Sequence, residues 1–139
     1  MTTVGELGEN LVADWLQLQQ WHILQRRWRS RGGEIDLIVL SKSQAILAFV
    51  EVKTRSAGNW DLGGKLAIND RKQEKICQAA QIFLSFNPKW SDLTCRFDVA
   101  LVSCQKSSLL ALPQFSLDYP CQLQAGYQLQ LQEYLVAVF

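Results

Sequence analysis

The segments Gly33-Glu34-Ile35-Asp36-Leu37-Ile38 and Phe49-Val50-Glu51-Val52-Lys53 decide how this chain is read. In each, Ile, Val, Leu and Phe alternate with other residues at the period of a β-strand. The polar stretch Ser41-Lys42-Ser43-Gln44 between them is short enough for an antiparallel hairpin. Glu51 and Lys53 are two apart, so both side chains leave one face of their strand, roughly 6–7 Å apart by the strand rise. If Ser43 and Gln44 centre the turn, Asp36 lies opposite Glu51. A register shifted by two makes them diagonal neighbours. In either register two carboxylates and an ammonium converge on one face.

Two carboxylates a few ångströms apart repel, and one is pushed toward protonation. A divalent cation removes that conflict. One or two hard carboxylate ligands with open water positions describe a Mg²⁺ site, with Mn²⁺ as the alternative ion. Asp36 and Glu51 are the candidate ligands, and the Val52 carbonyl can add a third. Lys53 cannot ligate a metal as an ammonium. Its candidate role is to hold or activate an attacking water, or to offset charge on a phosphate.

Composition narrows the classes. A chain of 139 residues with 48% hydrophobic content suits one folded domain. No apolar run approaches the roughly 20 residues that span a bilayer. The N-terminus carries acids where a secretory signal carries basic residues, so no membrane association and a cytoplasmic location are expected. Cys77, Cys95, Cys104 and Cys121 form no CxxC pair and read as reduced thiols, with no cluster-binding spacing. His22, the only histidine, reads as structural. Net charge is only +1, yet all 14 Lys and Arg lie between Arg26 and Lys106. Arg26, Arg27, Arg29 and Arg31 fall within six residues that hold no acid. This asymmetry gives one face able to meet phosphates; the competing explanation is an edge strand kept basic against aggregation. Arg27, Arg29, Arg55, Lys72 and Gln73 are the candidate nucleic-acid contacts.

The flanking elements follow from periodicity and caps. A helix from about Val4 to Gln20 starts with Thr3 as N-cap and Glu6 reaching back. Leu7, Leu11, Trp15 and Leu18 form its apolar stripe, Gly8 permits close approach to a sheet, and Glu9 falls about 20° beyond Leu16 at the rim of the buried face. A strand from His22 to Arg29 and a turn at Arg31-Gly32-Gly33 lead into the hairpin. Thr54 to Asn69, with Gly58, Trp60, Gly63 and Gly64, reads as a long loop beside the site; Trp60 either stacks on a base or partner, or pins the loop. A second helix runs from about Arg71 to Phe86, capped by Asp70, with Ile76, Ala79, Ala80 and Phe83 inward. Cys95 to Cys104 is a strand in which Asp98 is structural, pairing with Arg96 or a neighbouring strand. In the tail, Leu109 to Leu117 and Gln128 to Gln132 are strand candidates, and Glu133 to Phe139 a short helix. The tail's apolar residues are available to a dimer interface.

Asp36, a hairpin and Glu51-Val52-Lys53 resemble the core of the PD-(D/E)xK nucleases. Together with Gly5-Glu6-Leu7-Gly8-Glu9 opening a helix, Arg27-Trp28-Arg29, the continuation Thr54-Arg55 and Arg96-Phe97-Asp98-Val99, the chain resembles the bacterial YraN-like family from about Val4 to Val102. That family is regarded as a distant relative of the archaeal Holliday-junction resolvases. The resemblance implies an α/β single domain over residues 1–139, with a restriction-endonuclease-like core at about 4–104, a central mixed β-sheet flanked by helices, and a less regular tail over 105–139. It implies a Mg²⁺-dependent endonuclease acting on branched or structured DNA as a twofold homodimer. A glutamate on the first helix of the resolvases joins the metal site, and Glu9 matches it. A lysine or glutamine at the start of the second helix accompanies the site, which matches Lys72 and Gln73. Because one fold hosts many functions, a catalytically weak nucleic-acid-binding module is the second reading, and a structural protein with a Glu51–Lys53 ion pair the third.

Overall fold

The alternating segments form the spine of a mixed sheet. In the computed structural model, which describes residues 2–56, 69–107, 116–118 and 120–139, α1 spans Val4–Leu18, β1 His22–Ser30, β2 Gly33–Ser41, β3 Ile46–Ser56, α2 Asp70–Phe86, β4 Thr94–Lys106, β5 Cys121–Gln124 and β6 Tyr127–Leu135. A single 3₁₀ turn at Pro88–Trp90 separates α2 from β4. The strands lie in the order β1-β2-β3-β4-β6-β5. β3 and β4 are parallel, joined through α2, and every other neighbouring pair is antiparallel. No described helix is long and apolar enough to cross a membrane.

Period-two alternation divides the central strands between two cores. Leu37, Val39, Ala48, Val50, Ala100 and Val102 pack against Leu7, Leu11, Val12 and Leu16 of α1. Ile38, Leu40, Leu47 and Phe49 pack against Ile76, Ala79, Ala80 and Phe83 of α2. Both faces of β3 are thus covered, and each large side chain buried this way contributes roughly 1.5–3 kcal/mol.

Several expectations are corrected. α1 ends at Leu18, which is 55% exposed, because the chain turns away at Gln19 and a left-handed Gln20 (φ 71°). Val12 and Leu16 therefore fill the buried face in place of Leu18. The N-cap of α2 is Asn69, not Asp70: Asn69 is extended, and its side chain accepts the Lys72 N–H at 2.9 Å. The chain from Glu133 to Phe139 is not helical. β6 continues to Leu135 because it pairs with β4 as far as Val99, then Val138 N–H donates to the Phe97 carbonyl and Phe139 stacks on Phe97 at 4.8 Å. The stretch holding Trp60 and most of Leu109 to Leu117 lie outside the described residues. Thr3 caps α1 as expected, accepting the Glu6 N–H. All four cysteines are free thiols, two of them buried, and burial raises each above its ordinary range. His22 opens β1 and is exposed.

Asp98 is 1% exposed and fully engaged. It accepts from Arg96 Nε and Nη2 at 3.0 Å each, from the Tyr134 hydroxyl at 2.7 Å and from the Ala137 N–H at 3.0 Å. Burial, then the Asp98 charge, holds the Tyr134 phenol far above its usual range. This cluster fastens β6 and the chain end to β4.

Candidate active site

Asp36 sits where β2 leaves β3 and where its ladder with β1 skips one pair. The β2–β3 ladder ends at Leu37–Val50, the register in which Asp36 would next face Glu51. On the other side, β1 pairs Arg26 with Leu37 and Trp28 with Ile35, passing over Arg27 and Asp36. Arg27 has φ 50°, a left-handed backbone uncommon outside glycine. The alternation breaks at the same point, since Ile35 packs with the α2 core and Leu37 with the α1 core. Where β2 departs, the Val52 N–H loses a backbone acceptor and donates to Asp36 Oδ2 at 2.8 Å instead. Asp36 Oδ1 has no partner among the described residues.

Odd-numbered β3 residues face α2, as Leu47 and Phe49 show, so Glu51 and Lys53 do too. Lys53 Nζ lies 3.3 Å from Glu51 Oε1, and Lys72 Nζ, from the first turn of α2, lies 3.0 Å from the same oxygen. Asp36 and Glu51 share a cleft of about 300 Å³, walled by Gly33 and Glu34 on the sheet side and by Lys72, Lys75 and Ile76 on α2. A groove of about 640 Å³ runs along α2 past Gln73, but among the described residues its walls hold two acids, Asp70 and Glu74, and no cation. The chemistry is concentrated in the smaller cleft.

The charges there are in tension. Burial, then the neighbouring Glu51 charge, pushes the Asp36 carboxyl up to about 7, against the single favourable Val52 N–H. Burial, and next the adjacent Lys72, pulls Lys53 below the usual lysine range. The donor set of Asp36 and Glu51 would fit a divalent cation, which would supply Asp36 with the counter-charge it lacks, whereas Glu51 already faces two ammoniums. The Val52 carbonyl leaves the same strand edge as the Val52 N–H, on the side of Asp36.

The remaining candidates are placed differently. Glu9 lies on α1, 13% exposed, with Oε1 3.0 Å from Arg27 Nε; burial raises its carboxyl while Arg27 opposes the rise. Its charge still contributes to the shift at Asp36, yet no three His, Cys, Asp or Glu side chains gather as a metal cluster among the described residues. Arg27 also pairs with Glu6 at 2.7 Å, and Arg29 pairs with Glu34 at 3.0 Å. Arg55 is exposed at the end of β3 and donates to the Thr54 carbonyl. Gln73 lines the groove along α2.

A profile described as Uncharacterised protein family UPF0102 matches residues 8–102. The chain belongs to this family. It is 51% identical to a UPF0102 protein of Synechocystis sp., an alignment covering 100% of this chain and 99% of that protein. It is 44% identical to a UPF0102 protein of Acaryochloris marina over 98% of this chain and 89% of that protein. With a UPF0102 protein of Thermosynechococcus vestitus it is 48% identical over 78% of this chain and 86% of that protein. Glu9, Asp36, Glu51, Lys53 and Lys72 all fall inside the span matched by the family profile.

Four cleft residues were not among the site candidates from sequence: Gly33, Glu34, Lys75 and Ile76, the last read only as an inward-facing residue of α2. Lys75 carried a signal, since it follows Lys72 by three on a helix and so shares its face. Glu34 carried one as well, since it precedes Asp36 by two on the same strand and so shares its face by the strand period; Gly33 carried none.

Proposed function

We propose that this protein is a divalent-metal-dependent endonuclease that hydrolyses phosphodiesters in DNA, built on a restriction-endonuclease-like core of the PD-(D/E)xK type. The observation that carries this reading is the cleft in which Asp36, Glu51 and Lys72 meet, with Lys53 paired to Glu51 beside it, at the point where β2 and β3 part. Asp36 and Glu51, with the Val52 carbonyl, would hold Mg²⁺ or Mn²⁺. When bound, such an ion polarises a phosphate oxygen and makes a coordinated water more acidic. Lys53 orients the attacking water and offsets charge developing on the phosphate. Lys72 stands opposite, where it can meet a phosphate oxygen. Arg55 holds flanking backbone without reading sequence. The Glu9 charge adds to the negative field at Asp36. The family resemblance extends the reading to branched DNA cut by a homodimer, since paired incision needs twofold symmetry.

The test is a cleavage panel of branched, flapped, nicked and linear DNA in Mg²⁺ and in Mn²⁺, with Glu51→Ala as control. Cutting of at least one substrate, lost in the control, is the expected result. A second reading, a nucleic-acid-binding module without hydrolysis, draws on Glu51 being held by two ammoniums and on Glu9 being tied to Arg27. Calorimetry decides between them: DNA binding without divalent-ion uptake, unchanged in Asp36→Ala, favours the module.

A further inference from the structure

We infer that Lys72 is a displaceable cation, which holds Glu51 in the ion-free protein and turns to a substrate phosphate when a divalent ion takes that place. The inference rests on the metal-dependent reading above. Its basis is that Lys53 and Lys72 address one and the same oxygen, Glu51 Oε1, at 3.3 and 3.0 Å. An ammonium at that distance stands where a cation must approach a carboxylate. A dication arriving beside two ammoniums meets strong like-charge repulsion in a half-buried cleft, so one ammonium has to leave.

The two lysines differ in their freedom to do so. Lys53 rises from the central strand two residues from Glu51, and its side chain is 12% exposed. It stays beside Glu51 because both residues sit on one strand that β4 holds in register there, Glu51 opposite Val99 and Lys53 opposite Leu101. Lys72 reaches across from the first turn of α2, and its side chain is 36% exposed. Its four-carbon stem is flexible, and it already forms part of the cleft wall beside Lys75. A Lys72 ammonium released from Glu51 therefore remains in the cleft, unpaired, facing the space a phosphodiester would enter. Divalent ion and phosphate ligand then assist each other's binding, as two ligands do when each removes a conflict that opposes the other.

Calorimetric titration with Mn²⁺ tests this on the wild type, Lys72→Met, Lys72→Gln and Lys75→Met. Lys72→Met keeps the stem and removes the charge, and Lys72→Gln covers the case in which methionine disturbs α2. Lys75→Met removes the same charge from the same cleft but has no ion pair with Glu51 among the described residues. The expected result is Mn²⁺ affinity raised at least about fivefold in both Lys72 variants and clearly less in Lys75→Met. Affinity for a short duplex in Ca²⁺ is expected to fall in the Lys72 variants. Equal Mn²⁺ affinities in wild type and Lys72 variants, or an equal gain from Lys75→Met, overturn the inference alone. Absence of Mn²⁺ uptake in every folded variant overturns the metal reading and this inference with it.

Discussion

Asp36 is a carboxylate kept where its charge is poorly served, and that gives it a signature in stability. Its pKa rises from 3.8 to about 7 on folding. A raised native value means that the native state binds the proton more tightly. The contribution is fully present below the unfolded value and is lost as pH climbs through about 7. In EDTA, Asp36→Asn is therefore expected to be more stable than the wild type at pH 8, by the order of a few kcal/mol, with the difference shrinking toward pH 4. The amide keeps an acceptor for the Val52 N–H, so packing is preserved. Urea melts at both pH values measure it, and equal stabilities at pH 8 would show that the charge is not in conflict. The meeting of Asp36 with Glu51 was legible from the period-two pattern and a turn centred on Ser43 and Gln44. The interruption of both ladders at Asp36 was not, because it accompanies a left-handed Arg27, and nothing in the sequence marks a non-glycine residue for that conformation. For the same reason Arg27 and Arg29 looked like free cations, whereas folding pairs them with Glu6, Glu9 and Glu34.

α1 is seated on β3 through Gly8. A Cβ at that position would overlap Thr54 Oγ1, a hydroxyl that is itself buried without a hydrogen-bond partner among the described residues. Gly8→Ala is expected to cost about 1–3 kcal/mol through overpacking, and Thr54→Ala to return part of that in the double variant, a coupling that a double-mutant cycle reads directly. Additive effects would place the two residues out of contact. This close approach was readable from Gly8 on the apolar side of a capped helix. The end of α1 was less so, because the apolar period runs on through Leu18 although the chain has already turned. β6 shows the opposite limit. Its Gln-Leu alternation announced a strand, but its extension to Leu135 depends on pairing with β4, which lies far away in sequence.

Asp98 joins β4, β6 and the final residues, so its loss reaches the entire domain. Asp98→Ala leaves the Arg96 guanidinium without its acid and the Tyr134 hydroxyl and Ala137 N–H without an acceptor. Breaking a buried pair in this way is expected to cost about 3–5 kcal/mol, seen as a lower urea midpoint in a single transition; a midpoint near the wild type would make the cluster incidental. Surface charge has a parallel test. Each phosphate contact contributes about 0.9 to the salt slope of duplex binding, so Arg55→Ala is expected to lower that slope, whereas Arg29→Ala, already paired with Glu34, leaves it nearly unchanged. Equal slopes for wild type and Arg55→Ala would remove Arg55 from the DNA path.

The lone parallel pairing in the sheet also dictates an order of events during folding. Asp36 and Glu51 are brought together by closing a short turn, whereas Lys72 docks only once α2 has carried the chain across to lay β4 beside β3. Local closures precede distant ones, so the two acids and Lys53 are gathered first and Lys72 arrives last. Lys72→Met is accordingly expected to move the unfolding limb of a chevron and spare the refolding limb; slower refolding would reverse that sequence of assembly.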